Sequence, residues 1–129
     1  EAQLERLSFF LPRSHAERRW FAGVAISAGM CEELIFRGFL IHYLTRLPIG
    51  ITPIVAYLLA ALVFGIDHGY QGFAGIVSTA FLALVFTFLF VVSGSIWLPM
   101  LVHVLLDLRI LLILPPASPR TAEVSSTSG

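Results

Sequence analysis

Long apolar stretches separated by short polar breaks dominate the chain. Two of them contain no Asp, Glu, Lys or Arg: residues 47–66, a run of 20, and residues 69–106, a run of 38. A helix that crosses a membrane needs roughly 20 mostly apolar residues, so the longer run has room for two such helices. The cluster Ser93-Gly94-Ser95 is typical of a turn and divides that run.

The pattern predicts four hydrophobic helices and no strands. We place the helices near residues 20–47, 51–68, 73–92 and 96–114. The β-branched residues are scattered through runs too long for strands, and open sheet edges are not tolerated in hydrocarbon. The expected fold class is therefore all-α, a polytopic transmembrane helix bundle.

Composition favours a membrane protein over a soluble one. Of the 129 residues, 57% are hydrophobic and 12% are charged, and the mean hydropathy is +0.89. Soluble domains average about 25% charged residues. The formal net charge is zero, which argues against a nucleic-acid partner because such proteins need a basic stripe. The lipid bilayer is the partner that this composition predicts.

The two ends differ in composition from the apolar middle, residues 20–114. Residues 1–19 carry four arginines beside leucines and phenylalanines, which predicts an interfacial or juxtamembrane segment. By the positive-inside rule, these arginines place the N-terminal side in the cytoplasm. Residues 115–129 are rich in Pro, Ser and Thr, which predicts a disordered tail. The chain starts with Glu1 instead of Met, so we expect it to be part of a longer protein.

Two consecutive glutamates lie within the first predicted helix. A charged residue inside a hydrophobic span costs about 2.5–3.5 kcal/mol on insertion scales, so it marks a functional site by default. Glu33 and Arg37 are four residues apart, so their side chains share a helix face and can pair. A purely structural clamp explains these two residues and leaves Glu32, about 100° round the helix, without that partner. We therefore expect Glu32 to be functional.

Two histidines occur in apolar surroundings on later helices. His68 ends the second helix, four residues after Phe64, and is as consistent with a helix cap as with catalysis. His103 and Asp107 are four residues apart on the last helix, so the carboxylate can fix the tautomer and orientation of the imidazole.

Together these residues resemble the motifs of the CPBP family of intramembrane proteases. In chain order the motifs are Glu32-Glu33-x-x-x-Arg37, Phe64-x-x-x-His68 and His103-x-x-x-Asp107. The family includes the type II CAAX prenyl endopeptidases and bacterial bacteriocin-processing or self-immunity proteins, also called Abi proteins. The resemblance covers roughly residues 20–114.

The resemblance implies an intramembrane glutamate protease, expected in a bacterial plasma membrane. Glu32 would be the catalytic base, with His68 helping it to activate water, while His103 and Asp107 would form the oxyanion site. The remaining motif residues would be structural: Glu33, Arg37 and Phe64. The family further implies catalysis without a metal or another cofactor, and a peptide or protein substrate that is prenylated for some members.

Two features depart from the family pattern. Members usually have more than four spans, so further helices before Glu1 are expected. In the eukaryotic CAAX enzymes the residue matching Asp107 is asparagine, whereas aspartate is common in bacterial members. An ionised Asp107 cannot donate a hydrogen bond to an oxyanion, so it is either protonated or orients His103 as the donor. We favour the second.

Reasoning from the residues alone leaves two other functions open. Glu32, His68 and His103 are legitimate zinc ligands, and three protein ligands plus water make a catalytic zinc site. The usual HExxH pair is absent, so the zinc protease ranks second. The third hypothesis is a non-enzymatic helix bundle for immunity or transport that uses the carboxylate as a proton relay.

Straight helices would hold Glu32 and His68 at different depths. At 1.5 Å per residue, Glu32 lies about 18 Å from Trp20, whereas His68 falls near the cytoplasmic end of its helix. A break near Gly38, a strong tilt, or a second helix that starts deeper would bring the pair together.

Overall fold

The computed structural model describes residue 12 and residues 14–113, and every regular element among them is helical. The elements are, in chain order, α1 (His15–Glu33), a π-helical segment (Leu34–Leu40), α2 (Ile41–Arg46), α3 (Pro53–Asp67), a 3-10 turn (Gly69–Gln71), α4 (Phe73–Ser93) and α5 (Trp97–Ile113). The first three elements follow one another without a break and form one continuous helix. The prediction of four helices and no strands is therefore confirmed for the described residues.

The first helix begins at His15, ahead of the predicted start near residue 20. Ser14 caps it: the Ser14 hydroxyl accepts a hydrogen bond from the Glu17 backbone N–H at 3.2 Å, and the Glu17 carboxylate accepts one from the Ser14 N–H at 3.1 Å. This reciprocal capping box fixes a helix start that hydropathy does not show. The helix thus extends into the segment 1–19. Residues 1–11 and 13 of that segment lie outside the described residues, as does the predicted tail 115–129.

Proline and glycine mark the other helix ends. Pro53 occupies the first turn of α3, and the preceding Thr52 hydroxyl accepts a hydrogen bond from the Val55 N–H at 3.4 Å. Gly94 ends α4 with a left-handed backbone at φ 63°, a conformation that glycine adopts without a steric penalty. The turn predicted at this position is confirmed.

Two close helix crossings bring the elements together. α1 packs against α5, α3 packs against α4, and α4 also contacts α5. A Cβ atom at Gly29 would lie 2.8 Å from Val104 Cγ2, and one at Gly65 would lie 2.7 Å from the Ile76 carbonyl oxygen. Glycines therefore allow both crossings, as small residues do in many membrane helix bundles. The crossing at Gly29 sets α1 directly against the part of α5 that carries His103.

One described helix, α4, is both long enough and apolar enough to cross a membrane, while the apolar α3 has only 15 residues. The predicted transmembrane bundle is thus supported in part. Many large apolar side chains face outward: Trp20, Phe73 and Leu112 are 79%, 81% and 88% exposed. Apolar surface of this extent is typical of contact with lipid or with other helices.

Candidate active site

Glu33 lies at the centre of a buried charged network. Its side chain is 0% exposed, and its Oε1 atom accepts hydrogen bonds from Arg37 Nη1 at 3.0 Å and from His103 Nδ1 at 2.9 Å. Arg37 Nη2 donates to the carbonyl oxygen of Ala83 on α4 at 2.7 Å. The predicted Glu33–Arg37 pair is therefore present, and it connects the first helix to both α4 and α5.

Aromatic rings enclose this network. The Arg37 guanidinium lies 5.3 Å from the ring centroids of both Phe64 and Phe86, a cation–π arrangement. Phe86 also stacks on the imidazole of His103, with the ring centroids 4.7 Å apart. The sequence did not single out Phe86 or Ala83, because both lie in an apolar run where nothing distinguishes them from outward-facing neighbours.

Glu32 lies on the other side of His103 from Glu33. Its Oε2 atom is 3.7 Å from His103 Nε2, and Asp107 Oδ2 is also 3.7 Å from the same nitrogen. Both distances are longer than a hydrogen bond. Nε2 therefore lies between the two carboxyl groups and is hydrogen-bonded to neither of them. The Glu32 side chain is 26% exposed and that of Asp107 is 38% exposed. Both side chains are partly exposed, in contrast to that of Glu33, although the Glu32 Oε2 atom itself is buried.

His68 caps the end of α3 and presents one ring nitrogen for chemistry. Its Nδ1 atom donates a hydrogen bond to the Phe64 carbonyl oxygen at 2.8 Å, and its ring stacks on that of Phe64 with centroids 4.6 Å apart. Because a carbonyl oxygen only accepts hydrogen bonds, Nδ1 carries the proton. Nε2 is then the unprotonated nitrogen of the neutral ring and can accept a proton.

The structure brings the four predicted catalytic residues into one region. Glu32 Oε2 and Asp107 Oδ2 each lie 3.7 Å from His103 Nε2, and the Phe64 ring connects this group to His68, with its centroid 6.1 Å from that of His103 and 4.6 Å from that of His68. His68 is thus one aromatic ring away from His103, and no hydrogen bond joins it to Glu32 among the described residues. The π-helical segment contains Gly38, where the sequence allowed for a break.

The orientation of His103 has a different source from the one predicted. The sequence favours Asp107 as the group that orients the ring, but Glu33 makes the 2.9 Å hydrogen bond to Nδ1, while Asp107 stays 3.7 Å from Nε2. Glu33 and His103 are 70 positions apart. Local spacing, which made Asp107 the obvious partner, carries no information about such a contact.

Within residues 14–113, no group of three or more His, Cys, Asp or Glu side chains is arranged to hold a metal ion. The zinc hypothesis therefore finds no preformed ligand set in the described part of the chain.

The arrangement offers groups that suit general acid–base chemistry. A partly exposed carboxyl group, Glu32, lies 3.7 Å from His103 Nε2, and the Phe64 ring separates His103 from His68, whose Nε2 can accept a proton. Side chains of these types, held by a buried support, are what proton transfer to or from a reacting group requires.

Comparison with known proteins places this chain in a family. No curated protein and no solved structure matches the chain. The family model of the type II CAAX prenyl endopeptidase Rce1-like proteins matches residues 15–109, a range that holds all the motif residues from Glu32 to Asp107. This match confirms the resemblance read from the three motifs and indicates a membrane-associated protease. The chain belongs to the type II CAAX prenyl endopeptidase Rce1-like family.

Proposed function

We propose that the chain hydrolyses peptide bonds at the membrane by means of a water molecule that Glu32 activates. His68 helps Glu32 to activate this water by accepting a hydrogen bond from it at Nε2, and His103 with Asp107 stabilises the oxyanion. The reaction needs no metal and no other cofactor. The substrate is a peptide or protein segment presented at the bilayer, and a prenylated peptide is the first to test because of the family match.

The observation that carries this proposal is the contrast between the two adjacent glutamates. Glu33 is fully buried and its Oε1 atom is held by Arg37 and His103. Each of the two carboxyl groups has a buried oxygen, Oε2, without a hydrogen-bond partner among the described residues. Only the Glu32 side chain is partly exposed, at 26%, so a hydrogen-bond donor such as water is expected at its Oε2 atom.

The proposed step balances without an additional reactant. Glu32 takes one proton from the water, and the oxygen attacks the carbonyl carbon of the scissile bond. The negative charge that develops on the carbonyl oxygen is stabilised by hydrogen-bond donors fixed in advance, which is among the largest contributions to acyl-transfer catalysis. When the C–N bond breaks, the proton returns from Glu32 to the leaving amine.

Two groups are available as the donors. His103 Nε2 donates when the ring is protonated on both nitrogens, and Asp107 donates when its carboxyl group is protonated. Because Glu33 already orients His103, Asp107 is not needed for that purpose. We therefore assign to Asp107 the role of a second donor, instead of the orienting role favoured by the sequence.

A cleavage assay with matched variants tests this function. The full-length protein in liposomes is given a fluorogenic peptide in farnesylated and unmodified forms. Glu32→Gln should lower the rate by about 10²–10⁴-fold, the range attributed to a positioned general base. Glu17→Gln is the control on the same helix, because glutamine also completes a capping box and should preserve the rate.

Two results would contradict the proposal. One is cleavage by Glu32→Gln at the wild-type rate per folded molecule. The other is the absence of cleavage of either peptide by the folded wild-type protein.

A further inference from the structure

We propose that Glu33 is a positioning residue for His103: it keeps the proton on Nδ1 and turns Nε2 toward Glu32 and Asp107. This inference deepens the proposed function and rests on it for its kinetic consequence alone. The alternative is a clamp in which Glu33 and Arg37 only hold helices together.

The chemistry of Glu33 fixes the position of one proton on the imidazole. Arg37 Nη1, a group that only donates, binds Glu33 Oε1 at 3.0 Å, so this oxygen acts as a hydrogen-bond acceptor. The 2.9 Å contact between Glu33 Oε1 and His103 Nδ1 is therefore a hydrogen bond in which Nδ1–H donates. A histidine in water exchanges between both neutral tautomers, whereas this contact selects one.

Three contacts restrict the ring as well. Glu33 holds Nδ1, Phe86 stacks on the ring with centroids 4.7 Å apart, and Phe64 approaches edge-on at 6.1 Å. The His103 side chain is only 6% exposed, which leaves little room for rotation. Nε2 therefore has one direction available, toward the carboxyl groups of Glu32 and Asp107, each 3.7 Å away.

The position of this proton determines whether His103 Nε2 accepts or donates a hydrogen bond. With Nδ1 protonated, a neutral ring has a lone pair on Nε2 and accepts a hydrogen bond there, while a cationic ring donates from Nε2. Glu33 thus determines which nitrogen faces the reacting groups and in which charge state that nitrogen is a donor. A clamp that only joined helices would leave the tautomer of His103 unaffected.

Nuclear magnetic resonance of ¹⁵N-labelled histidine in lipid nanodiscs measures this tautomer directly. The full-length protein is compared with His103→Gln, which identifies the His103 signals. Two further variants form a matched pair: Arg37→Lys, which keeps a cation and the Glu33 acceptor, and Glu33→Met with Arg37→Met, which removes both. The double variant leaves no buried unpaired charge, and replacement of a buried ion pair by apolar residues is often neutral or stabilising.

We expect His103 Nδ1 to carry a proton in the wild-type protein and in Arg37→Lys. In the double variant both neutral tautomers should appear, and kcat should fall about 10- to 100-fold, the usual cost of losing a partner that orients a functional histidine. An unprotonated Nδ1 in the wild type, or an unchanged His103 in the folded double variant, overturns the inference. The wild-type spectrum decides the tautomer even if the double variant does not fold.

The two proposals fail in different ways. Absence of peptide cleavage by the wild-type protein contradicts the proposed function, while the position of the proton on His103 is still measured. Cleavage that depends on Glu32, with a His103 tautomer that does not depend on Glu33, contradicts only the positioning role.

Discussion

Glu32 and Glu33 are consecutive in the sequence, but their carboxyl groups face opposite nitrogens of the same imidazole ring. Glu33 Oε1 lies 2.9 Å from Nδ1 of His103, and Glu32 Oε2 lies 3.7 Å from Nε2. Adjacent residues on a helix point about 100° apart, so one ring can lie between them. Two neighbouring glutamates therefore have different surroundings: Glu33 is fully buried and paired with Arg37, whereas Glu32 is partly exposed.

Substitution of Glu33 should reduce stability, whereas substitution of Glu32 should not. Glu33→Gln removes the negative charge that faces Arg37 and leaves the guanidinium buried without a counter-ion. Removal of one partner of a buried pair costs about 3–5 kcal/mol. Unfolding of the full-length protein in detergent, titrated with SDS, measures the difference. If Glu32→Gln and Glu33→Gln lower the yield of folded protein equally, and activity per folded molecule stays intact in both, the catalytic role of Glu32 and the structural role of Glu33 have been assigned wrongly.

Loss of the His68 imidazole should affect the reaction more than the fold. His68 lies at the end of α3, partly exposed, so His68→Ala should fold normally. The rate should fall by up to about 10²-fold, the lower end of the range for a positioned acid–base group, if Nε2 holds the attacking water for Glu32. His42→Ala is the matched control, because His42 is exposed on α2 and outside the site. Steady-state kinetics showing equal effects of the two variants would remove His68 from the mechanism.

Asp107→Asn should retain most of the activity, whereas Asp107→Ala should lose it. An amide donates a hydrogen bond without having to be protonated, and loss of one oxyanion donor costs about 10²–10³-fold in kcat. The comparison of kcat for the two variants separates a donor from a charged group. An asparagine variant as inactive as the alanine variant would show that Asp107 acts through its charge.

Activity should survive removal of metal ions. The full-length protein, purified in detergent and dialysed exhaustively against a strong chelator, should cleave its peptide at the original rate. Elemental analysis should find no stoichiometric metal. Loss of activity on chelation, with recovery after zinc is added, would move Glu32, His68 and His103 to the role of ligands.

Packing between α1 and α5 should be sensitive to a single methyl group. Gly29→Ala places a Cβ atom 2.8 Å from Val104 Cγ2 and 3.0 Å from the Val104 backbone nitrogen, next to His103 in the chain. Overpacking of this kind costs about 1–3 kcal/mol. Gly23→Ala on the same helix meets nothing within 4 Å and should leave stability unchanged or slightly higher. Thermal unfolding of both variants checks the difference, and equal melting temperatures would contradict this account of the crossing.

The fold was largely predictable because hydropathy and turn residues report on each helix separately. The break at Gly94 and the entry at Pro53 were visible as local signals. The start at His15 was also encoded locally, in the capping box of Ser14 and Glu17, but the apolar pattern drew attention to residues further along. The π-helical segment was not predictable, because i→i+5 hydrogen bonding depends on what the helix packs against.

The sequence predicted those contacts of the site that join residues a few positions apart on one helix, and it did not predict the contacts between helices. The pair Glu33–Arg37 follows from helix geometry, and the family resemblance singled out Glu32 and His68. The contact of Glu33 with His103 joins two helices that are far apart in the chain, so no periodicity reveals it. For the same reason the stacking of Phe86 on His103 became visible only in the structure.

The π-helical segment also makes the chain tolerant of a change in length. A π-helical turn holds one residue more than an α-helical turn, so the segment Leu34–Leu40 can lose one residue by closing into regular α-helix. A deletion among residues 38–40 would leave the spacing of Glu33 and Arg37 intact and would keep α1 and α2 in phase. In a regular helix the same deletion would rotate everything that follows by about 100°. A one-residue gap here between related sequences therefore indicates an α-helical turn in place of the π-helical one, with Glu32 and Glu33 still facing His103.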